Sequence, residues 1–196
     1  ALWTLGAAMI GLGAPLAGWL ADRFSQARMM AVFFLGLGAS AIGAGLVADA
    51  SGMAMALAAL GIFGAIYHPV GMAWVSMTAP ADRRGRIMGV LGIAGSIGVS
   101  LAAVIAGGLT ELGGWRLAMI LPGAVTVLAG LLLMATIFLG KIDIGAARGG
   151  AKVGDKAGGA SEMRAPFAVL AVLTVTFTLG AIAYAAYTTA LPKWLS

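Results

Sequence analysis

Few side chains in this 196-residue chain are equipped for proton or charge chemistry, and almost all of them lie between apolar stretches. The exception is His68, the single histidine, which sits deep inside one of those stretches. A neutral imidazole is tolerated there and titrates near neutrality, so it could take up and release a proton. The competing reading is an imidazole hydrogen-bonded to a neighbouring helix across Gly64, Gly71 or the backbone of Met72, or to the carbonyl that Pro69 frees. No Asp, Glu, Lys or Arg falls well inside an apolar segment, so this sequence carries no intramembrane carboxylate relay. Cysteine is absent, which removes disulfides, thiolate metal sites and cysteine nucleophiles. One histidine without a carboxylate or serine partner is poor material for an enzyme, and neither a metal nor a cofactor is expected.

The densest charge chemistry is an elbow, Gly18-Trp19-Leu20-Ala21-Asp22-Arg23-Phe24-Ser25-Gln26-Ala27-Arg28. Residues 1–20 before it and 29–48 after it carry no charge. Each stretch is about the 20 residues that a helix needs to cross a bilayer core. A charge at mid-membrane costs roughly 2.5–3.5 kcal/mol, so the elbow belongs at a membrane surface.

The elements that position these groups follow from composition. Hydrophobic residues make up 61% of the chain, charged residues 10%, and the mean hydropathy is +1.03. Soluble domains carry about 25% charged residues, so the expected fold class is an all-α integral membrane bundle. Six apolar segments are visible, at about 1–20, 29–48, 53–79, 87–109, 117–139 and 166–190. Spanning segments without barrel alternation must be helical. Ten of the twelve Lys and Arg residues fall in three connections: Arg23 and Arg28; Arg83, Arg84 and Arg86; and Lys141, Arg148, Lys152, Lys156 and Arg164. The positive-inside rule therefore places loops 21–28, 80–86 and 140–165 in the cytoplasm. Topology accounts for the net charge of +5, and no nucleic-acid partner is expected. This topology starts outside without a signal segment, which leads us to expect a further helix before residue 1.

Residues 140–165 are rich in Gly, Ala and charge and poor in large apolar side chains, the composition of a flexible linker between two bundles or of an ordinary long loop. The expected division is 1–139, 140–165 and 166–196. In the fourth segment Gly89, Gly92, Gly95 and Gly98 recur every three residues, and Gly92, Ser96 and Ser100 every four. Such stripes let a neighbouring backbone approach closely. Pro15 and Pro69, flanked by glycines, mark two kink candidates. In the last segment Thr174, Phe177, Thr178, Tyr184 and Thr188 fall within about 120° of one another on a helical wheel. That stripe either faces a cavity, as transporter sites do, or consists of threonines bonded to their own helix and an interfacial tyrosine. Tyr67 and Trp74, one heptad apart, either line a cavity or pack.

The elbow carries a resemblance. Gly18-x-Leu20-Ala21-Asp22-Arg23, followed by Arg28, resembles the signature G-x-L-a-D-r-x-G-r-r/k between the second and third helices of the major facilitator superfamily. Ser25 stands where the family has Gly, and Gln26 and Ala27 occupy its basic positions. Arg83-Arg84-Gly85-Arg86 and Gly114-Trp115-Arg116 are weaker echoes, and Tyr67-His68-Pro69-Val70-Gly71 with Trp74 resembles fosmidomycin-resistance-like members. The G-P-x-x-G-G motif of the family's drug/proton antiporters is not matched, because Gly98 is followed by Val99 and Ser100.

The resemblance implies helices two to seven of an expected twelve, the remainder lying in the same full-length chain. It implies a transporter of a bacterial-type inner membrane that moves a small solute by alternating access, coupled to protons, with drug efflux as one direction. Asp22 and Arg23 would take part in contacts that hold the cytoplasmic side closed. A six-helix channel or a membrane-embedded enzyme is the alternative class.

Overall fold

A computed structural model describes the backbone of residues 2–140. The expected linker, the last apolar segment and its Thr174, Phe177, Thr178, Tyr184 and Thr188 stripe lie outside the described residues. Within them the chain forms α1 (Leu2–Arg23), α2 (Gln26–Leu46), α3 (Ala50–Thr78) and α4 (Arg84–Phe138). Of these, α2, α3 and α4 are long and apolar enough to cross a membrane.

Five of the six expected segments fall among the described residues, where they form four helical elements because 87–109 and 117–139 meet across a break within α4. At 55 residues α4 would run about 80 Å if straight, far more than a bilayer core of about 30 Å. It does not run straight. The backbone leaves helical geometry at Gly113 and Gly114, and Gly114 has φ +75°, a left-handed conformation that glycine adopts without a Cβ clash. Beyond this break the chain returns along α2. A Cβ on Gly45 would meet Ile120, one on Gly38 would meet Gly123, and one on Gly130 would meet Phe34, so rising numbers in α4 oppose falling numbers in α2. By contrast, α1 and α3 pass through Pro15 and Pro69 as continuous helices, and the interruption comes at a glycine pair instead.

The connections are tighter than hydropathy suggests. Only Phe24 and Ser25 separate α1 from α2, so Asp22 and Arg23 lie in the last turn of one helix and Arg28 in the first turn of the next. Ser25 caps α2, its hydroxyl accepting from the Arg28 N–H at 3.3 Å, and Asp49 caps α3 through the Gly52 N–H at 2.7 Å. These caps carry the helices about three residues past the apolar boundaries. The core lies where α2 meets α3 and the second half of α4, around fully buried Phe34, Met30, Met53, Leu57, Val70 and Leu133. Many large apolar side chains point outward instead, among them Leu12, Val104 and Phe138, as expected of helices surrounded by lipid.

Candidate functional site

The elbow is built from two helix ends. The Arg23 guanidinium lies 4.1 Å from the ring centre of Trp19, one turn earlier on α1, and both residues are exposed. Ser25, where the family signature has glycine, is nearly buried and serves as the α2 cap. Gln26 is only 4% exposed, and its Nε2 donates to Met77 Sδ at 3.6 Å, which ties the start of α2 to the end of α3. This contact brings the α1–α2 and α3–α4 connections to the same end of the bundle. The sequence signal that could have flagged it is a glutamine at the membrane edge where an arginine is usual.

At that end Arg23, Arg28, Arg83, Arg84 and Arg86 are all exposed. Arg83 pairs with Asp82 at 3.4 Å, an exposed pair of little energetic weight. Gly18 has open space where a Cβ would be, so nothing among the described residues demands glycine there.

The residues proposed for a cavity do not share one environment. Trp74 is 8% exposed and packs in the core beside Val70 and Met30, whereas His68 is exposed. Tyr67 lies between these extremes: its ring sits 5.1 Å from the His68 ring, edge-on, and 5.2 Å from Phe33, which in turn meets Phe34 at 4.7 Å. A chain of aromatic contacts thus runs from the core of α2 to the surface of α3 at His68. The imidazole does not lie buried against a neighbouring helix among the described residues.

The glycines divide as well. Gly95 and Gly98 are buried, but Gly92 is exposed, and Gly89 and Gly92 would meet nothing within 4 Å if given a Cβ. With Ser96 and Ser100 they line a shallow open groove. The close backbone approach occurs elsewhere, between α2 and the second half of α4. A Cβ on Gly38 would lie 2.6 Å from the Gly123 carbonyl oxygen, and one on Gly123 would lie 2.9 Å from that of Gly38. At the end opposite the elbow, Arg116 Nη2 donates to the Val47 carbonyl at 3.1 Å, satisfying the C-cap residue of α2. Among the described residues no group of His, Asp and Glu is arranged to hold a metal ion.

Comparison with known proteins adds the family. The sequence profile of the Major Facilitator Superfamily matches residues 1–196. The chain is 30% identical over 131 residues to the puromycin resistance protein pur8 of Streptomyces alboniger, a match covering 65% of this chain and 26% of that protein. It is 32% identical over 119 residues to a multidrug resistance protein B homolog of Mycobacterium tuberculosis, covering 58% of this chain and 22% of the relative. The chain thus spans about a quarter of the length of the curated relatives it matches. No solved structure matches.

Proposed function

The chain belongs to the Major Facilitator Superfamily, and on that premise we propose that it is part of a secondary transporter that exports a small, drug-like solute from a bacterial cell by alternating access, in exchange for protons. The observation that carries this reading is the family match along the whole chain, supported by relatives named for puromycin and multidrug resistance. In this proposal residues 1–139 belong to the amino-terminal bundle, 140–165 link the bundles in the cytoplasm, and 166–196 begin the second bundle. The rest of the full-length chain completes the cavity.

The arginine-bearing end is the cytoplasmic gate. We assign to Asp22 and Arg23, in the last turn of α1, contacts with the opposite bundle when that side is closed. Making and breaking such contacts shifts the balance of two access states by the few kcal/mol that a switch requires. The α2–α4 seam, by contrast, moves as one body. His68 is the proton site on α3: its imidazole is exposed on the bundle surface, and the Tyr67–Phe33 contacts couple it to the core. Thr174, Thr178, Tyr184 and Thr188 complete the cavity wall from the other bundle. The run Tyr67–Gly71 also keeps a fosmidomycin-type subfamily within the proposal.

The test is resistance. Expression of the full-length protein in a bacterial host stripped of its own exporters should raise the inhibitory concentration of puromycin or of another member of a drug panel several-fold. No change for any compound, with the protein present in the membrane, would count against export.

A further inference from the structure

We propose that Met77 is an oxidation site whose sulfoxide is held by the Gln26 amide, latching the start of α2 to the end of α3. The inference goes beyond the transport reading and does not rest on the direction or coupling of export. It starts from a poorly matched contact. Gln26 is 4% exposed, its Nε2 donates to Met77 Sδ at 3.6 Å, and its Oε1 meets no donor among the described residues. A thioether sulfur is only a weak acceptor. A buried amide served so poorly is costly, so a stronger acceptor at the same place would be favoured. Nothing among the described residues fixes the amide by its oxygen, and it can turn to follow a new partner.

Access singles out the same residue. Among the described residues Met55, Met72 and Met77 are exposed, whereas Met30 and Met53 are fully buried. Met55 and Met72 lie about 8–9 Å along α3 from its nearer end, within the span, but Met77 is one residue from the end of the helix. A water-borne oxidant therefore reaches Met77 first. A sulfur lone pair attacks one oxygen of hydrogen peroxide, the S–O bond forms as the O–O bond breaks, and the departing hydroxide takes the remaining proton and leaves as water. Sulfur loses two electrons and the peroxide gains them. Methionine has three rotatable side-chain bonds, so the new oxygen can swing toward Gln26 Nε2 and bring a strong acceptor within ordinary hydrogen-bond distance. Oxidation disrupts a packed methionine, but here the side chain is half in solvent and the oxygen finds a buried donor.

The experiment treats the full-length protein in lipid nanodiscs with dilute hydrogen peroxide and follows each methionine by peptide mass spectrometry. The Met77 peptide should gain oxygen severalfold faster than the Met55 and Met72 peptides. Relative to Met77→Leu treated in the same way, which corrects for oxidation elsewhere, the oxidised protein should unfold about 2 °C higher, the shift expected of one improved hydrogen bond. In Gln26→Leu the same oxidation should lower the midpoint instead. Methionine sulfoxide reductase with dithiothreitol, which removes the oxygen as water while two thiols become a disulfide, should reverse the shift and act severalfold faster on Gln26→Leu. Met77→Gln places an amide oxygen near the same donor and should raise the midpoint without peroxide, which keeps the test intact if Gln26→Leu does not fold. Oxidation of Met77 no faster than of Met55 and Met72 would overturn the proposal. So would a lower midpoint on oxidation of the unsubstituted protein, or a rise that Gln26→Leu leaves unchanged. None of these readouts depends on transport.

Discussion

The two halves of α4 use glycine in opposite ways. The first half has the more regular pattern, with Gly89, Gly92, Gly95 and Gly98 in series, yet Gly89 and Gly92 face an open groove. The second half has only Gly123 and Gly130, and both meet α2: Gly123 lies against Gly38, and Gly130 against Phe34 and Leu35. There the backbones meet so closely that a single added carbon on Gly38 or Gly123 would overlap the other's carbonyl. Close packing is therefore a property of two helices in register, and a stripe on one helix states only half of it. In a bilayer, where lipid is as apolar as the helix surface, such backbone proximity and the dispersion contacts it permits hold helices together.

This contrast can be broken from either side, and the largest effect is expected at the seam. Gly123→Leu forces a side chain into the Gly38 carbonyl and should destabilise the bundle by about 3 kcal/mol or more, read as a lower unfolding midpoint and loss of folded protein in detergent. Gly92→Ala should be tolerated and gain up to about 1 kcal/mol from helix propensity. A marked loss of stability instead would show that a segment beyond the described residues seats in the groove. Next in size, within the proposed gate, Asp22→Asn should leave membrane insertion intact and slow or abolish transport by the full-length protein. Unchanged turnover would remove Asp22 from the gating contacts.

Smaller effects are expected at the other end. Arg116→Gln loses the bond to the Val47 carbonyl and should cost about 1 kcal/mol or less, because the arginine is exposed. The smallest is a pH effect at Asp49. The Gly52 N–H and the Ser51 hydroxyl hold its carboxylate below the ordinary value of 3.8. A pKa depressed by folding stabilises the fold fully above that ordinary value, and the stabilisation disappears as pH falls through the folded pKa. Asp49→Asn should therefore flatten the slight drop in unfolding temperature below about pH 4 while keeping the helix cap, whereas Asp49→Ala should lose the cap at neutral pH too.

Hydropathy and charge located the spanning segments to within about three residues at most of their ends, because lipid imposes a simple rule on long apolar runs. The ends moved outward for a reason composition does not express: Ser25 and Asp49 are caps, so polar residues continue the helices. The turnaround at Gly113–Gly114 was legible as a gap between apolar segments, but its compactness depends on one left-handed glycine. The elbow was legible as a motif. The role of Gln26 was not, since its partner Met77 lies 51 residues away. Likewise, the heptad relation of Tyr67 and Trp74 gave no hint that one is buried in the core while the other reaches toward His68.

The most direct test of the proposed function is gradient-driven flux in everted membrane vesicles containing the full-length protein. With the vesicle interior acidified, the account predicts uptake of puromycin or of another drug identified by resistance, collapse of that uptake when the proton gradient is dissipated, and a strong reduction in the Asp22→Asn protein. Uptake equal to that of vesicles lacking the protein, or uptake indifferent to the gradient, would contradict it.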